Sequence, residues 1–150
     1  MPRRRGALIA ILLAPCAGCA DVETAPLAPA CTDGPQHVER ALRAAPRAVR
    51  LADGTPLSDC VGHAITDSDL QNVGLVFTEA AEELEGRAPR EPRAALQLGY
   101  LIGAARRGAP GDSSIQAELV HRLERSAAVD MPPAAEDALA EGMRAGERGG

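Results

Sequence analysis

The sequence predicts an all-α protein, a small bundle of four to five short helices with one short extended arm or hairpin. Three observations lead to it. After residue 35, apolar residues recur at intervals of three and four through most of the chain, the spacing of a helix face. These stretches are separated by breaks rich in Pro and Gly, at Pro46, Gly86, residues 108–111 and Pro132-Pro133. Alternation of apolar and polar residues, the mark of a strand, is confined to one short segment near Val49. There is no internal repeat, and helices of similar length joined by short turns fit an antiparallel bundle.

Asp33-Gly34-Pro35 reads as a helix start, and Val38, Ala41, Leu42 and Ala45 share one face of a helix over 36–45 that Pro46 ends. Val49-Arg50-Leu51 alternates and Asp53-Gly54 is a turn dipeptide, so residues 49–57 form the extended arm or hairpin, kept at an edge by Pro56. Thr66-Asp67-Ser68-Asp69 is dense in capping residues, and Ser68 with Gln71 fits a capping box. The helix that follows runs to about Glu85, with Leu70, Val73, Phe77, Ala80 and Leu84 forming its packing seam. Gly86 stops it, and residues 87–91 are a polar loop.

The segment 92–107 is the most apolar helix, since Gln97 is the one strongly polar residue between Ala94 and Ala105. Such a helix belongs at the centre of the domain. Ala95, Gly99 and Gly103 recur every four residues and make a smooth strip for close packing against another helix of the bundle. Ser113 and Gln116 form a second capping box, before a helix to about Ala127 that buries Ile115, Leu119, Val120 and Leu123 and pairs Glu118 with Arg122 outside. Pro132-Pro133 opens a final helix bearing Ala135, Leu139 and Met143, and residues 146–150 are expected to fray.

The N-terminus has a different design. Arg3, Arg4 and Arg5 precede an uncharged apolar run over residues 7–14 that Pro15 closes, the layout of a secretory signal. Eight residues rise only about 12 Å as a helix, too short to cross a bilayer. The residues Leu13-Ala14-Pro15-Cys16-Ala17-Gly18-Cys19 resemble the lipobox of bacterial lipoproteins, with Ala17 and Gly18 at the two small positions and Cys16 where the family usually has Leu. The resemblance covers residues 1–19 only and implies that Cys19 carries a diacylglyceryl anchor and becomes the first residue of the mature chain. Ordinary cleavage after Gly18-Cys19-Ala20 is the alternative and would release a soluble protein. Residues 20–30, with two prolines and no periodicity, suit a flexible tether. The expected organisation is a signal over 1–19, the tether over 20–30, a helical domain over 31–145 and a disordered tail over 146–150.

Removing Cys16 with the signal and committing Cys19 to lipid leaves Cys31 and Cys60 in an oxidising compartment, so a structural disulfide between them is expected. It matters because Leu, Ile, Val and Phe supply only 25 of the 131 residues after Cys19, with one Tyr and no Trp. The same portion holds 13 arginines against 21 acidic residues, a net charge of −8, which argues against nucleic acid as a partner.

Motifs for chemistry are sparse. His37, His63 and His121 fall on different segments and read as ordinary exposed histidines, although His63 and Asp67 are four apart. Glu79, Glu82, Glu83 and Glu85 read as a solvated face. No GxSxG, HExxH or phosphate-binding glycine loop is present, and Asp67-Ser68-Asp69 lacks the glycine and distal glutamate of a calcium loop. No catalytic residue, metal ligand or cofactor is assigned. The expectation is a non-enzymatic binding or structural module in the envelope, held to the membrane by its lipid and facing another envelope protein. The alternative is a small-ligand carrier or minor enzyme with a pocket between helices, near Tyr100 and His63.

Overall fold

The computed structural model describes residues 25–109, 111, 114–128 and 130–150. The signal, Cys19 and the first part of the tether lie outside them. Within them the chain is all-helical: α1 (Pro35–Leu42), α2 (Leu57–Gly62), α3 (Asp67–Glu85), α4 (Pro92–Gly108), α5 (Ile115–Ser126) and α6 (Pro133–Gly149). A 3₁₀ turn at Pro29–Thr32 precedes them and already buries Ala30 and Cys31, so the tether gives way to the domain before residue 30.

Local chemistry accounts for most element ends. Gly34 precedes Pro35 at φ 113°, a conformation that favours glycine, and α1 buries Val38 and Leu42. This helix stops three residues before its expected end at Ala45. Residues 43–45 close with tighter bonds, such as Ala45 N–H to the Leu42 carbonyl at 3.1 Å. Pro46 has no N–H to carry the ladder further. The predicted arm survives as a single antiparallel bridge between Arg50 and Pro56, turned at Gly54, and there is no strand among the described residues. Directly after it comes α2, which the sequence pattern does not announce. Six residues are too few for helical periodicity to register.

The Cys31–Cys60 disulfide is formed, with a Cα–Cα distance of 5.4 Å, and both cysteines are fully buried. It fastens the 3₁₀ turn to α2. A closed loop of this length stabilises by about 3 to 4 kcal/mol in the chain-entropy account.

The cap of α3 is Thr66 rather than Ser68: its hydroxyl accepts from Asp69 N–H at 3.1 Å. The α3 seam is buried as expected at Val73, Phe77, Ala80 and Leu84, with Leu70 partly so. In α5 the cap is Ser114, accepting from Ala117 N–H at 3.2 Å; Ser113 of the expected box lies outside the described residues.

Every residue of α4 from Ala94 to Ala105 is buried, which makes it the axis of the domain. Its two polar side chains inside the core tie down neighbours. Gln97 donates to the Leu42 carbonyl at 3.3 Å, and the Tyr100 hydroxyl accepts from Val49 N–H at 3.0 Å. Buried polar groups satisfied in this way position the end of α1 and the arm over α4.

The tightest junction joins α4 to α6. A Cβ on Gly99 would land on the Leu139 carbonyl, and one on Gly103 on the Met143 carbonyl. Reciprocally, Gly142 and Gly146 face the Leu96 and Tyr100 carbonyls. The two helices therefore touch backbone to backbone. Because the contacts advance in the same direction along both, they run parallel, with α5 returning the chain between them. The antiparallel expectation fails for this pair. It also explains the C-terminal end. The helix does not fray at residue 146: α6 continues to Gly149, Gly150 is buried, and Ser58 Oγ donates to the Gly150 carbonyl at 2.6 Å. Glycines that read as weak helix formers are held because each permits this contact.

Candidate binding groove

A trough of about 610 Å³ lies between α3 and α5. Leu70, Leu75, Ile115 and Leu119 form its apolar surface, and Asp67, Gln71, Thr78, Glu118 and Arg122 are its polar groups. The helix period builds one wall. Asp67, Gln71, Gly74 and Thr78 are spaced four, three and four along α3 and so form one stripe, about 16 Å long from Asp67 to Thr78. Glu82 and Glu85 continue that stripe beyond the trough. The other wall is the corresponding stripe of α5. That helix is anchored at its start by Gln116, which is buried and donates to the Ala64 carbonyl at 3.2 Å.

Gly74 opens the floor. A Cβ there would meet only Leu119 Cδ1, at 3.9 Å, an ordinary contact that leaves the space unfilled at present. Thr78 Oγ1 is buried and has no hydrogen-bond partner in the protein, an exception to the usual pairing of buried hydroxyls. Three large apolar side chains of the described residues are exposed, and two of them belong to the trough: Leu75 at 59% and Ile115 at 54%. The third, Ile65 at 60%, follows Ala64, whose carbonyl anchors α5. Ile115 was expected in the core, but at the first residue of α5 it projects outward.

The trough's charges are arranged unequally. Arg122 Nε lies 3.4 Å from Glu118 Oε1, and Arg125 reaches the same carboxylate at 3.9 Å. Both cations are thus held by their own helix. Helix α3 carries six acidic residues and no basic one. The Glu79 to Glu85 cluster is where the sequence placed it, on the exposed side of α3, with Glu85 half-buried.

A separate ionic network sits at the far face of α5. Arg106 of α4 contacts Glu124 of α5 at 2.7 Å and Glu147 of α6 at 3.2 Å, and His121 Nδ1 lies 3.2 Å from Glu124. Burial alone would raise the Glu124 carboxyl, but the hydrogen bonds from Arg106 and His121, with the charge of Arg106, outweigh it and hold it below the usual glutamate range. Arg106 is raised in turn: its partial desolvation is overcome by the hydrogen bonds to Glu124 and Glu147.

The remaining sequence candidates are dispersed. His63 caps the end of α2, and Asp67 opens α3, so their spacing of four does not place them on one helix. His37 is half-buried on α1 beside Arg40 and Arg50, and His121 is exposed. Tyr100 is fully buried with its hydroxyl engaged, and neither it nor His63 lines the trough. Among the described residues, no group of three His, Cys, Asp or Glu side chains converges.

No protein-family model, curated protein or solved structure matches this chain.

Proposed function

We propose that this chain is an exported, lipid-anchored envelope protein that acts as a non-enzymatic binding module through the α3–α5 groove. The observation that carries the reading is the groove itself: an open apolar trough, with Leu75 and Ile115 exposed at its surface, in a molecule whose other polar core groups are internally satisfied. A depression between helices lined by apolar side chains with a few polar groups is the usual form of a binding site. Export is supported by the signal-like residues 1–19, and the buried Cys31–Cys60 bond suits an oxidising compartment. No helix among the described residues is long and apolar enough to cross a membrane, and the attachment proposed is the lipid on Cys19.

One experiment tests both halves. Wild-type, Cys19→Ala and Leu75→Glu chains are fractionated from cells and extracted in mild detergent. Cys19→Ala is expected in the soluble fraction, and unchanged membrane fractionation would refute the anchor. Wild type is expected to retain a stoichiometric companion that Leu75→Glu loses while keeping its melting temperature. Equal retention by both chains would refute the groove as the binding surface.

A further inference from the structure

We infer that the occupant of the α3–α5 groove is an amphipathic helix of a partner protein, with an apolar stripe seated on Leu75, Ile115 and Leu119 and a basic flank facing α3. The inference rests on the groove being the binding surface and adds what fills it.

Shape comes first. The trough is open and bounded by two helices, and the α3 stripe that lines it rises about 16 Å from Asp67 to Thr78, the length of three turns of a guest helix. A third helix laid against two others is the usual way such a depression is filled, its anchors spaced three and four apart. Gly74 leaves room at the middle of the floor for one such anchor.

Charge selects among guests. Along the α3 stripe, Asp67 stands at one end and Glu82 and Glu85 at the other, with no cation on the helix. On the opposite wall, Arg122 and the nearby Arg125 share the one Glu118 carboxylate. An anionic amphiphile, such as a fatty acid or acidic lipid, would meet repulsion along α3, whose six carboxylates have no cation on their own helix. A second copy would bring the acidic α3 faces of two chains of net negative charge together, which also opposes docking. A helix with Lys or Arg along one flank meets neither obstacle, and opposite potentials across such an interface both steer and orient the guest.

The test uses three fluorescein-labelled peptides of fourteen residues: an amphipathic Leu/Lys helix, its Leu/Glu counterpart, and a scrambled Leu/Lys sequence. Anisotropy is read against the full chain in phosphatidylcholine nanodiscs, with empty nanodiscs as blank. The amphipathic Leu/Lys peptide is expected to bind at least tenfold more tightly than either of the others, and to weaken severalfold in Leu75→Glu. That direction is diagnostic, because the substitution adds a negative charge and would strengthen a merely electrostatic contact. Glu82→Gln/Glu85→Gln should also weaken it while leaving the melting temperature unchanged. Equal affinity for the Lys and Glu peptides, or none for either, overturns the basic helix. Equal affinity lost in Leu75→Glu leaves the groove a docking site without charge selection, whereas binding indifferent to Leu75→Glu removes the groove itself. A dimer in sedimentation that Leu75→Glu dissociates would assign the groove to a second copy and overturn the proposal.

Discussion

The α4–α6 seam and the α3–α5 groove are both places where helices meet over glycine, with opposite results. In the seam small residues recur every four positions on both helices: Ala95, Gly99 and Gly103 on α4, and Ala138, Gly142 and Gly146 on α6. Each glycine admits the partner's backbone, so no space remains between them. In the groove a single glycine, Gly74, faces a leucine, and the neighbouring large side chains Leu75 and Ile115 turn outward. Paired small residues bring backbones together, whereas an isolated one opposite a large residue leaves a hollow. The first arrangement builds the core of a chain poor in large apolar residues, and the second provides a surface for something else to fill.

Placing a side chain in each region probes the contrast. Gly99→Val has the largest expected effect, since its Cβ would coincide with the Leu139 carbonyl and the helices would have to separate. A loss of about 3 to 5 kcal/mol is expected in urea denaturation, and a loss under 1 kcal/mol would show that the seam is slack. Gly74→Ala should have the opposite sign. Its methyl fits against Leu119 and improves helix propensity, so a gain of up to about 1 kcal/mol is expected, together with a shallower groove. Destabilisation would mean that the hollow is already filled.

The smallest effect belongs to the network that joins the two regions, where Arg106, Glu124 and Glu147 link α4, α5 and α6. Because the Glu124 carboxyl titrates lower in the folded chain than its ordinary 4.5, its contribution is present above that pH and lost as pH falls through the folded value. Glu124→Gln should thus cost about 0.5 kcal/mol at pH 7, given the partial exposure of the pair. The gap to wild type should narrow in thermal melts as pH is lowered below 4.5 and the Glu124 carboxylate is protonated; a gap independent of pH would place the effect in packing rather than charge.

Residue by residue, what could be read in advance differs between the two regions. Ala95, Gly99 and Gly103 announced close packing, because a repeat of small residues every four positions can only be a strip on a helix face. The answering strip on α6 was legible by the same rule at Ala138, Gly142 and Gly146, yet residues 146–150 read as a fraying terminal segment instead. In the groove, Leu75 was visible as an apolar residue off the α3 seam. The exposure of Ile115 was not, since its spacing from Leu119 is that of a buried pair. Helix α2 was invisible, because six residues are too few for a helical period to show in the pattern.

The sequence by itself determined the helices longer than seven residues, the central place of α4 and the partnership of Cys31 with Cys60. The helices and the place of α4 follow from periodicity and composition, and the cysteine pairing from the expectation that Cys16 leaves with the signal and Cys19 takes the lipid. Only the tertiary structure decided that α4 and α6 run parallel, that the chain stays helical to Gly149 and that α3 and α5 leave a hollow between them. Periodicity says which side of a helix seeks cover, but which partner covers it, and how completely, depends on side-chain volumes from segments distant in the chain.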